Sequence, residues 1–192
     1  MVNVKLIQTP LKIGSFVNKL TKLARKRVLV GIPEERSSRP DVGEKINNAE
    51  LLYIQSHGVR KKSMREEMQK NIDAGMKYSA AHSLYIQSHG SPLWQIPPRP
   101  VLEPAIEANK NPIANQLKMG LKAAVDGNMQ ETENYMHKAG MVAENAAKSW
   151  FENPANKWPP NSPKTIKKKG SDSPLIDTGE MRKAITHVIR EE

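Results

Sequence analysis

Apolar positions recur at three- and four-residue spacing over most of this chain, so the pattern predicts a largely helical protein with one early and one late strand. Phe16, Val17, Leu20, Leu23 and Ala24 share one face of a helix predicted over Ser15–Arg27, with Ser15 as N-cap and Lys and Arg in the last turn, where the dipole favours cations. Val28–Ile32 is a short β-branched run stopped by Pro33 and reads as a buried strand. Glu34–Lys45 is a polar, turn-forming stretch expected to be a mobile loop. A second helix is expected over Asn48–His57, with Ala49, Leu52 and Tyr53 on its inward face and Gly58 just past its end.

The heptapeptide LYIQSHG then occurs twice, at Leu52–Gly58 and Leu84–Gly90, 32 residues apart. The flanking residues do not match and a solenoid needs three or more stacked units, so this reads as one helix end used twice around an insertion at about 59–90. Inside it, Ser63 and Glu66 have the spacing of a capping box. Met64, Met68 and Ile72 continue a helix that loosens at Gly75 and resumes to His89.

Ser91–Glu107 is proline-dense and expected to be extended until a short helix starts near Pro104. Asn111 and Pro112 read as N-cap and first residue of a helix that turns Ile113, Leu117, Leu121, Ala124 and Val125 inward and closes at Gly127. The strongest stripe is Met136, Ala139, Ala143, Ala147, Trp150 and Phe151, on a helix over Gln130–Asn153. Pro154–Pro174 reads as an extended arm that orders on docking. From Asp177 to Arg190 a capped helical turn gives way to the alternation of Ile185, His187 and Ile189 with Thr186 and Val188, a strand. The expected architecture is α+β, one domain over 1–192: a short sheet, several helices, a helical insertion and proline-rich arms.

Composition narrows the function. Only 38% of residues are hydrophobic and 5% aromatic, and nine Met against two Phe favour adaptable packing, so burial is expected to be completed against other copies of the chain. Cysteine is absent, which excludes disulfide and thiolate chemistry and suits a reducing cytoplasm. The start lacks the apolar run of a signal peptide and no 18 apolar residues occur together, so no membrane partner is expected.

Catalytic signals are weak. Asp177-Thr178-Gly179 is the tripeptide of aspartic proteases, but that chemistry needs two such carboxylates and a β-rich body, and 13 residues follow Gly179. Asp177 is better read as a cap of the last helix answered by Glu180. Of His57, His82, His89, His137 and His187, none sits in a metal-ligand spacing, and helix-end positions explain them more simply. Glycine-rich phosphate loops, the serine-hydrolase elbow and the dinucleotide fingerprint are missing. No cofactor, metal or enzymatic activity is expected.

Charge says more. The net charge is +10, and basic clusters lie in the first 30 residues, at Arg60, Lys61, Lys62 and Arg65, and at Lys164, Lys167, Lys168 and Lys169 near Trp158. Aromatics suited to stacking bases are not interleaved and no helix-turn-helix is visible, so contact with DNA would be to phosphates and not to sequence.

Three stretches carry a resemblance: NAELLYIQSHG at Asn48–Gly58, resuming as HGSPLWQIPPRPVLEPAI to Ile106; WPPNSPKTIKKKG at Trp158–Gly170; and SPLIDTGEMRKAITHVI at Ser173–Ile189. In type, order and spacing they resemble the neck, tail-completion and virion-morphogenesis proteins of lambdoid and Mu-like tailed bacteriophages, over about two-thirds of the chain. Two departures stand out. The glycine-ended helix is split from its Ser-Pro continuation by the insertion, so the second LYIQSHG is taken to fill the usual place. The family's acid near that helix end is replaced by Ser-His.

The resemblance implies a small α+β subunit of a closed, usually six-fold ring at the head–tail joint. There it would be a virion protein assembled in the host cytoplasm, contacting portal, adaptor, neck and tail-tube or terminator proteins, with DNA passing through the lumen. It implies that Ile96, Pro97, Arg99 and Pro100 shape the turn before a core helix. Trp158, Pro160, Lys164 and Thr165 would belong to an arm on a neighbouring subunit, and Asp177, Thr178 and Gly179 would be structural caps. The candidate DNA-facing residues are Lys164, Lys167, Lys168, Lys169, Arg60, Lys61 and Lys62. The alternative is a non-specific basic DNA-binding protein.

Overall fold

A computed structural model describes residues 13–39, 46–90 and 94–191. Lys5, Lys12, the Pro40–Lys45 part of the expected mobile loop and the Ser91–Leu93 link lie outside the described residues. The architecture is α+β, with two small two-stranded sheets among helices. Among the described residues no helix is long and apolar enough to cross a membrane. Contacts divide the chain into two compact units, residues 1–30, 109–143 and 187–192 in the first and 31–108 and 144–186 in the second.

In the first unit, α1 spans Ile13–Arg25 and runs straight into β1, Lys26–Gly31. Both begin two residues before the expected positions. Ile13 extends the apolar spacing backwards, which puts Ser15 inside the first turn and not at its cap, and β1 takes in Lys26 and Arg27 to match the six residues of its partner β4, Thr186–Glu191. The strand expected at the end of the chain is therefore present.

Helix α6, Lys110–Val125, starts before the expected cap, and Asn111 and Pro112 fall in its first turn, where a missing N–H costs nothing. Its inward face also differs from expectation. Ala124 is buried as expected, but its buried companions are Gly120 and Ala123, whereas Leu117, Leu121 and Val125 are exposed. Close approach decides this: a Cβ on Gly120 would sit 3.2 Å from Tyr135 Cβ on α7, Met129–Trp150, so only small residues fit between the two helices. All six stripe residues expected inward on and just after α7 are buried. Asn128 caps α7, its side chain accepting from Glu131 N at 3.1 Å and donating to Glu131 Oε2 at 3.0 Å. Later in α7, Gly140 lies against the His187 ring of β4.

The second unit opens with α2, Asn48–His57, at the expected bounds. Asn47 and Glu50 make a reciprocal capping box, each accepting at 2.9 Å from the other's backbone N–H. After Gly58, β2 (Val59–Arg60) pairs antiparallel with β3 (Trp94–Ile96), Val59 opposite Ile96 and Arg60 opposite Trp94. Between these strands the insertion is a hairpin of α3, Lys62–Asp73, and α4, Tyr78–His89, around its own core of Met64, Met68, Ala81 and Tyr85. The break at Gly75 falls where expected. The Ser63–Glu66 capping box does not form, because α3 starts at Lys62 and leaves Ser63 inside its first turn.

Helix α5 spans Leu102–Ala108, with Val101 and Ala105 fully buried, and starts two residues before Pro104. The segment expected as an extended arm instead folds onto its own chain. It forms a 3-10 turn at Pro154–Asn156 and helix α8, Pro163–Lys169, with Ser162 as N-cap accepting from Thr165 N at 3.2 Å. Helix α9, Glu180–Ala184, packs on α2, and Ile185 after it is fully buried.

Candidate interaction site

Proline dictates how the two proline-rich stretches can be joined. Neither Pro97-Pro98 nor Pro159-Pro160 has an N–H, so these dipeptides cannot form a backbone ladder with each other, and their carbonyls are open to donors from other residues. Arg99 supplies most of the link. It is only 7% exposed, and its guanidinium donates from Nε (3.1 Å) and Nη2 (2.8 Å) to Pro159 O and from Nη2 to Pro160 O (3.1 Å). Burial pushes its pKa below the ordinary value, while its own N–H is fixed to Gln55 O of α2 at 2.8 Å.

Trp158 completes the link in the opposite direction. Its Nε1 donates to Pro100 O at 3.1 Å and its ring stands edge-on to Phe151, 6.1 Å between centroids. Asn156 positions it, accepting from Trp158 N at 3.1 Å and donating to Trp150 O at 3.1 Å. Asn161, also buried, donates to Asp172 O at 3.0 Å and closes the base of the α8 loop. The third stretch meets the first: Leu175, Asp177, Thr178 and Met181 line a small hollow with Asn48 and Leu51 of α2. Stretches far apart in sequence thus come together, two of them joined by hydrogen bonds and the third lining a hollow with the first.

Within it, Asp177 is exposed and does not cap α9. The N-cap is Gly179, left-handed at φ 79°, and Glu180 becomes the first helical residue and not the third. Thr178 Oγ1 accepts from Glu180 N at 3.4 Å, a long bond. Asp177 instead borders a shallow hollow with Lys164, Thr165, Lys168 and Lys169, so an acid sits beside the lysines.

The candidate basic residues fall into two groups. Lys164, Lys167 and Lys168 are exposed on α8, with three lysines in the last turn, where the carbonyl end of the dipole stabilises them. Lys169 is half-buried and donates to Ser173 O at 2.7 Å. Lys61 and Lys62 are exposed, and Lys62 pairs with Glu66 at 3.3 Å. Arg60 is half-buried. Its guanidinium lies 5.2 Å over the Trp94 ring, a contact that links β2 to β3, and its Nη1 is buried without a hydrogen-bond partner.

The two LYIQSHG copies share local geometry but not burial. In each, the His Nδ1 lies by the carbonyl four residues back (2.9 Å at His57, 3.1 Å at His89), and the Tyr and His rings stack with centroids 4.1 Å apart. Leu52 is 5% and Tyr53 65% exposed, whereas Leu84 is 41% and Tyr85 3% exposed. Tyr53, expected inward, therefore stands out from α2. On one side of it a hollow of about 310 Å³ is lined chiefly by Ile32, Ala49, Leu52, Pro100 and Leu102; on the other lie Ile46 and Ile54. Sequence reasoning missed this surface and the partners of Arg99.

Among the described residues no cluster of three metal-ligating side chains exists. The molecule is an α+β protein whose most developed features are side-chain-to-carbonyl anchors, an exposed basic helix and uncovered apolar surface. Compared with protein-family models, curated proteins and solved structures, the chain matches none.

Proposed function

We propose that this chain is a structural subunit of a tailed-bacteriophage particle, forming a homo-oligomeric ring at the head–tail junction through which DNA passes, without enzymatic activity. One observation carries the reading. The three stretches that resemble neck and tail-completion proteins are joined in space: Arg99 and Trp158 bind each other's proline segments, and the Asp177–Met181 stretch lines a hollow with α2. Residues that act as one unit in such a family are expected to be assembled in this way. The low apolar content and the exposed Tyr53, Leu117, Leu121 and Val125 suit a subunit that finishes its burial against copies of itself.

Lys164, Lys167 and Lys168, free of base-stacking aromatics, suit contact with passing phosphates. The test is genetic. Particles grown without this chain should accumulate filled heads and separate tails, and supplying the chain should restore joining. Normal joined particles in its absence would overturn the reading.

The exposed lysines of α8 also favour a second reading, a non-specific DNA-binding protein. It requires duplex affinity that falls steeply with salt, with a log–log slope of about −0.9 per phosphate contacted. Absence of binding at low salt removes it.

A further inference from the structure

Two exposed apolar surfaces, one in each unit, have similar length along their helices and opposite edge charge. On α6, Leu117, Leu121 and Val125 recur every four residues and form an exposed ridge about 12 Å long at 1.5 Å per residue. Lys118 and Lys122 run along its edge, both exposed. On α2, the hollow beside Tyr53 extends from Ala49 to His57, again about 12 Å of helix, and is edged by the exposed Glu103, while the exposed Glu50 lies with Ile46 and Ile54 on the other side of Tyr53.

We infer that the α6 ridge of one copy docks in the Tyr53 hollow of the next, a head-to-tail contact between copies of this chain. This deepens the ring reading and rests on it. Leu121 would enter the apolar hollow, Tyr53 would lie along the ridge, and Lys118 and Lys122 would face Glu50 and Glu103 across the rim. Because the ridge and hollow are different surfaces, each copy offers both, and association runs head to tail, ending in a ring if the rotation between copies closes and in a filament if it does not. The occupant is a second copy because the ridge that fits the hollow in length, polarity and charge is carried by the chain itself.

Sedimentation velocity on the full chain tests this with Tyr53→Asp, which spoils the hollow, and Leu121→Asp, which spoils the ridge. Both sites are exposed, so each monomer should keep its fold by circular dichroism. Wild type should associate, and each variant alone should lose about tenfold or more in affinity, as for an anchor residue. Mixed in equal amounts, the two variants should form dimers and nothing larger, since only one intact ridge and one intact hollow remain per pair. Lys118→Glu and Glu103→Lys should each weaken association, and the two in one chain should restore it. A monomeric wild type, variants that associate like wild type, or a mixture that stays monomeric would each overturn the contact. Rings retained by both variants would sink this surface and leave the ring reading standing; unaltered head–tail joining without the chain would sink that reading whatever the surface does.

Discussion

Replacing Arg99 by Met isolates what the buried guanidinium contributes, because Met keeps most of the apolar stem and removes only the fork. Three bonds are lost, two to Pro159 O and one to Pro160 O. Hydrogen bonds from charged donors are worth about 1.5–3 kcal/mol each. The three share one cation, whose desolvation is recovered on its removal, and Pro159 and Pro160 lie at the surface, where water can reach their carbonyls. The net loss is therefore well below the sum, about 2–3 kcal/mol. Arg99→Lys, which keeps the charge without the fork, should lose about 1–2 kcal/mol.

Urea unfolding measures the loss, and limited trypsin digestion shows where it acts. With the anchor gone, the bonds after Lys157, Lys164 and Lys168 should be cut before the rest of the chain. In a double-mutant cycle with Trp158→Phe, the two changes should couple by at least about 0.5 kcal/mol, since both close the same contact. A loss below about 0.5 kcal/mol with an unchanged digestion pattern would refute the anchoring role.

Other perturbations follow from the same geometry. Gly58→Ala should cost about 2–4 kcal/mol, because φ is 72° and a Cβ would meet Ile96 O at 2.7 Å and Pro98 N at 2.8 Å. Gly90→Ala, with open space at φ 76°, should cost only about 1 kcal/mol; equal losses in thermal unfolding would contradict this. Tyr85→Ala should destabilise the α3–α4 hairpin by about 3 kcal/mol, whereas Tyr53→Ala on α2 should cost under about 1 kcal/mol, both measured by denaturant titration. Gly140→Ala should cost about 1–3 kcal/mol and shift the His187 ring resonances, since the new methyl overlaps the imidazole; an unperturbed spectrum would argue against the contact.

Much of the fold was legible where one signal dominated. The α7 stripe from Met136 to Phe151 is all buried, and the glycines after both LYIQSHG copies end helices. Alternation from Ile185 onward marked β4. What stayed hidden depended on distant partners. An identical heptapeptide specifies the same helix end twice, yet packing decides that Leu is inward in one copy and Tyr in the other. On α6 Ala124 was placed correctly, but Gly120 and Ala123 share the buried face in place of Leu117, Leu121 and Val125, because small residues admit the neighbouring helix. Arg99 was visible as part of a proline segment, while its carbonyl partners lie about 60 residues away and leave no local mark. The proline-rich arm misled for a related reason: its length and composition suggested a segment that orders only on docking, and side-chain donors supply anchors within the chain.

The most direct measurement of the central claim is a cryo-electron-microscopy reconstruction of the neck of particles grown with this chain. A ring of identical subunits should surround the DNA channel between head and tail. In that ring the α6 surface of each copy should meet the α2 surface of the next, with α8 facing the channel. Intact, joined particles whose necks hold no density for this chain would contradict that claim.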